Sequence, residues 1–287
     1  MNYEKFPRFL QIETHTRCNA TCFICPNDQL TRPDMTTEAF YKIINDCKGK
    51  GVQEIHPFFT NEPLMERRLW GFMDYIQGQL PEAGIHLYSN MSLMTLKNAE
   101  NLLRRDNFKF IAFSLDGASK EIFEKMRPGL NWEKVWTNTK NFLDLRADMG
   151  RSDVHTKAVM TLTPDNECDE AAFKRMWSGA VNEVMVMGSD GRARLGNDWQ
   201  KTQVKSKAYK NDPRWPCRAH KCHTHSMYIL SSGDTVPCCK DFDGQTRIGN
   251  VLETSVEEVW NSERMNEIRA KLDAGIYDEK ACRLCPL

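Results

Sequence analysis

The chain has 287 residues, 40% of them hydrophobic, with 39 basic and 39 acidic side chains. That is enough apolar mass for one large domain plus a small appendage, and a net charge of zero gives no reason to expect nucleic acid or an anionic membrane surface as a partner. With no apolar run near about eighteen residues and no apolar core in the opening MNYEKFPRFLQIETH, neither a membrane span nor a signal peptide is expected, and the chain is expected to be cytoplasmic.

In chain order, short apolar runs alternate with helical stretches over 8–187. The runs RFLQIE, EIHPFF, IHLYS, FKFIAFS, HTKAVMTLT and NEVMVM read as six strands. Helices are expected to start near Thr37, Arg67, Thr95, Lys120 and Asp169, with another near Trp132 and a charged loop after the sixth run. The segment TTEAFYKIINDC opens on a threonine suited to cap a helix. Such alternation predicts an α/β fold with a parallel sheet and helices outside it. Six strands are too few to close a barrel, so an open, partial (β/α)6 TIM-like barrel is expected, with a flat doubly wound sheet as the alternative.

Eleven cysteines in a chain expected to be cytoplasmic favour metal binding over a disulfide framework. Cys47 and Cys168 read as ordinary thiols near helix ends. Cys18, Cys22 and Cys25 are different: they follow the first strand within THTRCNATCFICPND. Chemistry in parallel α/β folds gathers at the carboxyl ends of the strands. TNEP (60–63), SNMS (89–92) and SLDG (114–117) follow the next three strands at the same rim. Each alone is no more than a turn, whereas together with the thiol loop they suggest a site. Three thiols leave one position of a four-iron cluster open for another ligand, whereas a structural zinc site takes four protein ligands.

The thiol loop and the segments after it resemble the radical S-adenosylmethionine (radical SAM) enzymes over nearly the whole chain. The resemblance implies that Cys18, Cys22 and Cys25 hold a 4Fe–4S cluster whose open iron binds S-adenosylmethionine. It further implies reductive cleavage to a 5′-deoxyadenosyl radical. By position, Asn61, Glu62 and Pro63 match the segment that holds the methionine amino group, with asparagine where glycine is usual. Ser89 and Asn90 match the segment near the ribose, where Met91 replaces a glycine. Ser114 and Asp116 match a further cofactor-contacting segment. Phe23 and Ile24 are candidates beside the adenine, with the aromatic one residue earlier than usual.

In the tail, SMYILSSGDTVPCC reads as a hairpin with Ser-Gly-Asp at its turn, and SVEEVWNSERMNEIRAKLDAG as a helix capped by Ser255. Four thiols from a loop, a hairpin and the chain end can enclose one metal, zinc being the simplest choice. The tail resembles the SPASM and twitch auxiliary-cluster domains, which implies a second 4Fe–4S cluster on Cys222, Cys238, Cys282 and Cys285, with Cys217 as the alternative to Cys222. Cys239 is expected to point away from Cys238 along a strand, and His220, His223 and His225 to be solvated. The expected domains are a barrel over 1–195, a linker over 196–215 and a twitch/SPASM-like α+β cluster domain over 216–287, with one auxiliary cluster as in the shorter twitch type.

The resemblance implies an oxidoreductase using two 4Fe–4S clusters and S-adenosylmethionine. The auxiliary cluster would accept the substrate radical's electron, and a flavodoxin or ferredoxin would supply the first one. With no room for an extra peptide-binding domain before the first strand, a small sugar or cyclitol alcohol is the expected substrate, a ribosomally made peptide the alternative. Candidates for the base are Asp190, Asp198 and Lys201, and for orienting substrate Arg192 and Arg194. An iron–sulfur electron carrier and a zinc-bound interaction module are the non-enzymatic alternatives.

Overall fold

The computed structural model describes residues 3–188 and 222–283. Its first part follows the expected alternation. Strands β1 (Phe9–Ile12), β2 (Glu54–His56), β3 (Gly84–Ser89), β4 (Phe108–Ser114), β5 (His155–Leu162) and β6 (Glu183–Gly188) are joined by helices α1 (Thr37–Asp46), α2 (Leu69–Gln79), α3 (Leu96–Leu103), α4 (Lys120–Met126), α5 (Trp132–Asp148) and α6 (Glu170–Trp177). Thr36, Thr95, Ser119 and Asn131 cap their helices, each accepting a backbone N–H of the first turn. β2 stops short of its apolar run because Pro57 follows His56, and proline has no N–H for the ladder.

The order of the strands decides between the two expected architectures. The first six pair in parallel and in chain order, β6-β5-β4-β3-β2-β1. A doubly wound sheet reverses direction partway; within these six strands the order never reverses. The result is an open (β/α)6 barrel, with Leu10, Ile12, Ile55, Ile85 and Leu87 buried against the helices. The alternate positions Gln11, Glu54, His56, His86 and Tyr88 line the opposite, concave face, as the two-residue period of a strand requires.

The tail adds to this sheet. β7 (Ser226–Ile229) pairs in parallel with β1, Phe9 opposite Ser226, and β8 (Asp234–Val236) and β9 (Gly249–Asn250) continue antiparallel. The β7–β8 turn needs Gly233, whose φ is +85°. The single helix expected after Ser255 is two. α7 (Val256–Trp260) ends at Asn261, and Ser262 caps α8 (Glu263–Asp273) afresh by accepting Met265 N–H. A short α9 (Lys280–Arg283) follows. Trp260 is buried, donates Nε1–H to the Glu4 carbonyl and lies 4.1 Å below the Arg269 guanidinium. Lys42 of α1 donates to the Val251 and Thr254 carbonyls. Val251, Val256, Val259, Trp260 and Met265 thereby join the barrel's hydrophobic core. The expected boundaries near 195 and 216 lie outside the described residues.

Candidate active site

The loop after β1 carries Cys18, Cys22 and Cys25, and its neighbours fix its course. Thr21 and Phe23 donate their N–H groups to the Pro128 and Met126 carbonyls. The Asn27 amide donates to the Thr16 and Thr60 carbonyls, tying the loop to the end of β2. The Asn90 amide donates to Asn19 at 2.9 Å, and Asn19 donates to Ser92, tying it to β3. Gly129, at φ +92°, lets its own segment approach closely, since a Cβ there would lie 3.1 Å from the Asn19 carbonyl.

The three thiols line one cavity of about 530 Å³ together with Ile24, Asn61, Glu62, Ser89, Asn90, Ser114 and Arg127. The rim segments expected to converge do so. Glu62 is buried and held by three donors: Asn90 N–H at 2.8 Å, Ser89 Oγ at 2.9 Å and Leu64 N–H at 3.2 Å. Burial pushes its carboxyl pKa up, while those hydrogen bonds oppose the shift. Met91 takes φ +62°, keeping the left-handed turn that glycine would adopt without strain. Asn61 closes its own turn by accepting Phe59 N–H at 2.9 Å.

Three candidates fall elsewhere. Phe23 turns outward and is 37% exposed, so that Ile24 is the residue facing the cavity. Pro63 begins a short helical turn behind Glu62 and does not line the cavity. Asp116 is fully buried and pairs with Arg127 at 2.5 Å while accepting Thr161 N–H at 2.7 Å, so it supports the site from behind.

Arg127 is the residue that sequence reasoning missed. It closes α4, and its Nη1 lies 3.6 Å from Cys22 Sγ. Burial alone would lower its pKa, but Asp116 and Cys22 outweigh that and keep it cationic. Its only signal in the sequence is a charged residue in MRPG at a helix end. Burial pushes Cys18 up to about 11 and Cys25 up to about 12, and raises Cys22 as well. Such thiols stay protonated until a metal displaces the proton. Three soft sulfur donors, an adjacent fixed cation and an adjoining polar cavity fit a 4Fe–4S cluster with one open iron.

In the tail, Pro237 ends β8, so Cys238 and Cys239 lie in a turn beyond the strand. The expected strand alternation does not apply, and Cys239 lines the main cavity with Lys240 and Phe242. Tyr228 is buried, and its hydroxyl pKa is raised well above the ordinary value by burial and then by the nearby Cys239, Cys222 and Cys238. Cys282 lies on α9, whose Ala281 N–H donates to Thr246. His223 is buried beside Asp273, not solvated. Cys217, His220, Cys285, Asp190, Arg192, Arg194, Asp198 and Lys201 lie outside the described residues.

The family model of the radical SAM superfamily matches residues 12–176, more than half of the chain. The chain belongs to the radical SAM superfamily. A second model, an iron–sulfur cluster-binding SPASM domain, matches residues 217–286. A curated relative from Niallia circulans, an S-adenosyl-L-methionine-dependent 2-deoxy-scyllo-inosamine dehydrogenase, is 21% identical over 281 residues, 95% of this chain and 89% of the relative. Among solved structures, BtrN in complex with AdoMet and 2-DOIA superposes with TM-score 0.61 at 15% identity, covering 98% of this chain and 94% of BtrN. Streptococcus suis SuiB bound to S-adenosylmethionine gives TM-score 0.71 at 14% identity, covering 93% of this chain and 68% of SuiB. The chain is a radical SAM oxidoreductase that uses S-adenosylmethionine and 4Fe–4S clusters. Among the described residues, no helix is long and apolar enough to cross a membrane.

Proposed function

We propose that this enzyme dehydrogenates an alcohol carbon of a small polyhydroxylated molecule, a sugar or cyclitol: one hydrogen atom goes to the 5′-deoxyadenosyl radical, the hydroxyl proton to a base, and one electron to a cluster in the tail. The observation that carries this reading is the shared cavity: Cys239, Lys240 and Phe242 of the tail line the same space as Cys18, Cys22 and Cys25 of the barrel. The full-length similarity to a cyclitol dehydrogenase supports the substrate class.

Cys18, Cys22 and Cys25 would hold the first cluster, and Cys222, Cys238, Cys282 and Cys285 the auxiliary one, with Cys217 as the alternative to Cys222. When bound, the first cluster and S-adenosylmethionine supply a 5′-deoxyadenosyl radical that abstracts hydrogen. Glu62, fixed by its three donors, is set to receive the ammonium of the methionine moiety. Asn61, Ser89, Asn90 and Ser114 offer polar atoms around it. Arg127 offsets negative charge at the thiolates, while Ile24, Phe58 and Tyr88 keep the cavity wall apolar and limit water. A flavodoxin or ferredoxin would deliver the first electron. The test is anaerobic turnover with a reductant and a panel of polyols, amino-cyclitols and peptides. Stoichiometric ketone and 5′-deoxyadenosine from a polyol or amino-cyclitol is the expected result; a modified peptide with every small alcohol untouched would refute the reading.

A further inference from the structure

A second set of metal-ligating side chains lies on the barrel's concave face, apart from every cysteine. β2 carries Glu54 and His56 two residues apart, so both point to that face. β3 lies parallel beside it in the register Glu54–Gly84 and Ile55–Ile85, which sets His86 next to His56. The two strands thus present the same Ile-His pair side by side. Glu54 Oε2 lies 3.0 Å from His56 Nε2 and 3.1 Å from His86 Nδ1. All three ligand atoms lie within 4.8 Å of one another. Gly84, opposite Glu54, leaves the space that the His86 ring uses; a Cβ there would lie 3.3 Å from His86 Nε2.

We propose that Glu54, His56 and His86 bind a divalent zinc ion with one coordination position open. Four ligands placed about 2.0–2.2 Å from a tetrahedral zinc stand roughly 3.3 Å apart, close to the two separations found here. Two imidazoles and one carboxylate suit zinc better than magnesium or calcium, which prefer all-oxygen shells. The rings are held in orientation by packing, His86 against Phe110 with centroids 5.1 Å apart and His56 against His86 at 5.0 Å. The cluster keeps one open side, with side-chain exposures of 31% for Glu54, 20% for His56 and 17% for His86. Beside it lies a cavity of about 230 Å³ lined by Gln11, Glu54, His56, Ser226 and Tyr228. The main cavity also touches Gln11, His56 and Tyr228, so the two adjoin. A zinc here would present its open position to a hydroxyl or carboxylate of a small molecule in that space.

The test is zinc K-edge absorption and elemental analysis of the anaerobically purified, iron-loaded enzyme after incubation with zinc chloride and desalting. About one zinc per chain is expected, with nitrogen and oxygen neighbours near ~2.0–2.1 Å and no sulfur near ~2.3 Å. Glu54→Gln and His86→Phe should each cut bound zinc at least ~10-fold with iron content unchanged. No retained zinc, or zinc kept at wild-type level by a folded variant carrying both Glu54→Gln and His86→Phe, overturns the proposal. A sulfur-only zinc shell overturns it too, and would separately count against an iron–sulfur cluster in the tail. Should the variants fail to fold, the wild-type spectrum decides alone.

Discussion

The two cysteine sets reach their positions by different means. Cys18, Cys22 and Cys25 share one loop at the end of β1, and the ends of β2, β3 and α4 hold that loop in place. Cys222, Cys238 and Cys282 come from a short helical turn, the turn after β8 and the last helix. The first arrangement is local in sequence and buttressed by a sheet whose strands pair through their backbones. The second draws on separate segments of the tail, which docks on β1 and α1. A metal proposed for the first site should therefore serve chemistry, and one proposed for the second should also hold the fold together.

The largest effect that tests this contrast is at the loop. Cys18→Ala, Cys22→Ala and Cys25→Ala are each expected to abolish S-adenosylmethionine cleavage, read as 5′-deoxyadenosine by chromatography, while the apo chains keep wild-type circular dichroism. Cleavage at the normal rate by any of the three would break the assignment.

Cys238→Ala and Cys282→Ala should act less completely. Part of the cofactor cleavage is expected to survive while substrate oxidation fails, and proteolysis should increase over 222–283 only. A folded variant that oxidises substrate at the wild-type rate would make the tail metal purely structural.

Arg127→Met is next in size. It leaves the Asp116 carboxylate buried without its cation, an expected cost of about 3–5 kcal/mol by denaturant titration. Adding Asp116→Asn should restore part of that stability. Full stability of the single variant would mean that the pair is not what supports the loop.

The smallest effect is a slope. Burial first, and then the charge of Arg17, lowers the His15 pKa from 6.5. The folded chain therefore favours neutral imidazole, which accepts Arg17 N–H at Nδ1. The unfolded chain binds the proton more readily, so stability is complete above about pH 6.5 and declines as pH falls toward the folded value. His15→Asn should flatten the dependence of Tm on pH between about 7.5 and 5.5. An unchanged slope would show that His15 does not govern the loop's response to acid.

Periodicity alone placed the six barrel strands and their helices, because burial on one face of a strand and one stripe of a helix leaves a repeating mark in the residues. Spacing alone picked out the three thiols, since they share one loop and their geometry is local. The sequence could not reveal that β7 would pair with β1, because pairing partners far apart in the chain carry no periodic mark. Nor could it reveal that Cys239 faces the main cavity, because that depends on where Pro237 ends the strand and on where the hairpin docks. Arg127, Glu54, His56 and His86 look like ordinary surface charges and polar residues when read in order. Their roles arise from parallel register and from burial, which lower the effective dielectric and make each charge seek a partner. Those quantities are set by the tertiary structure.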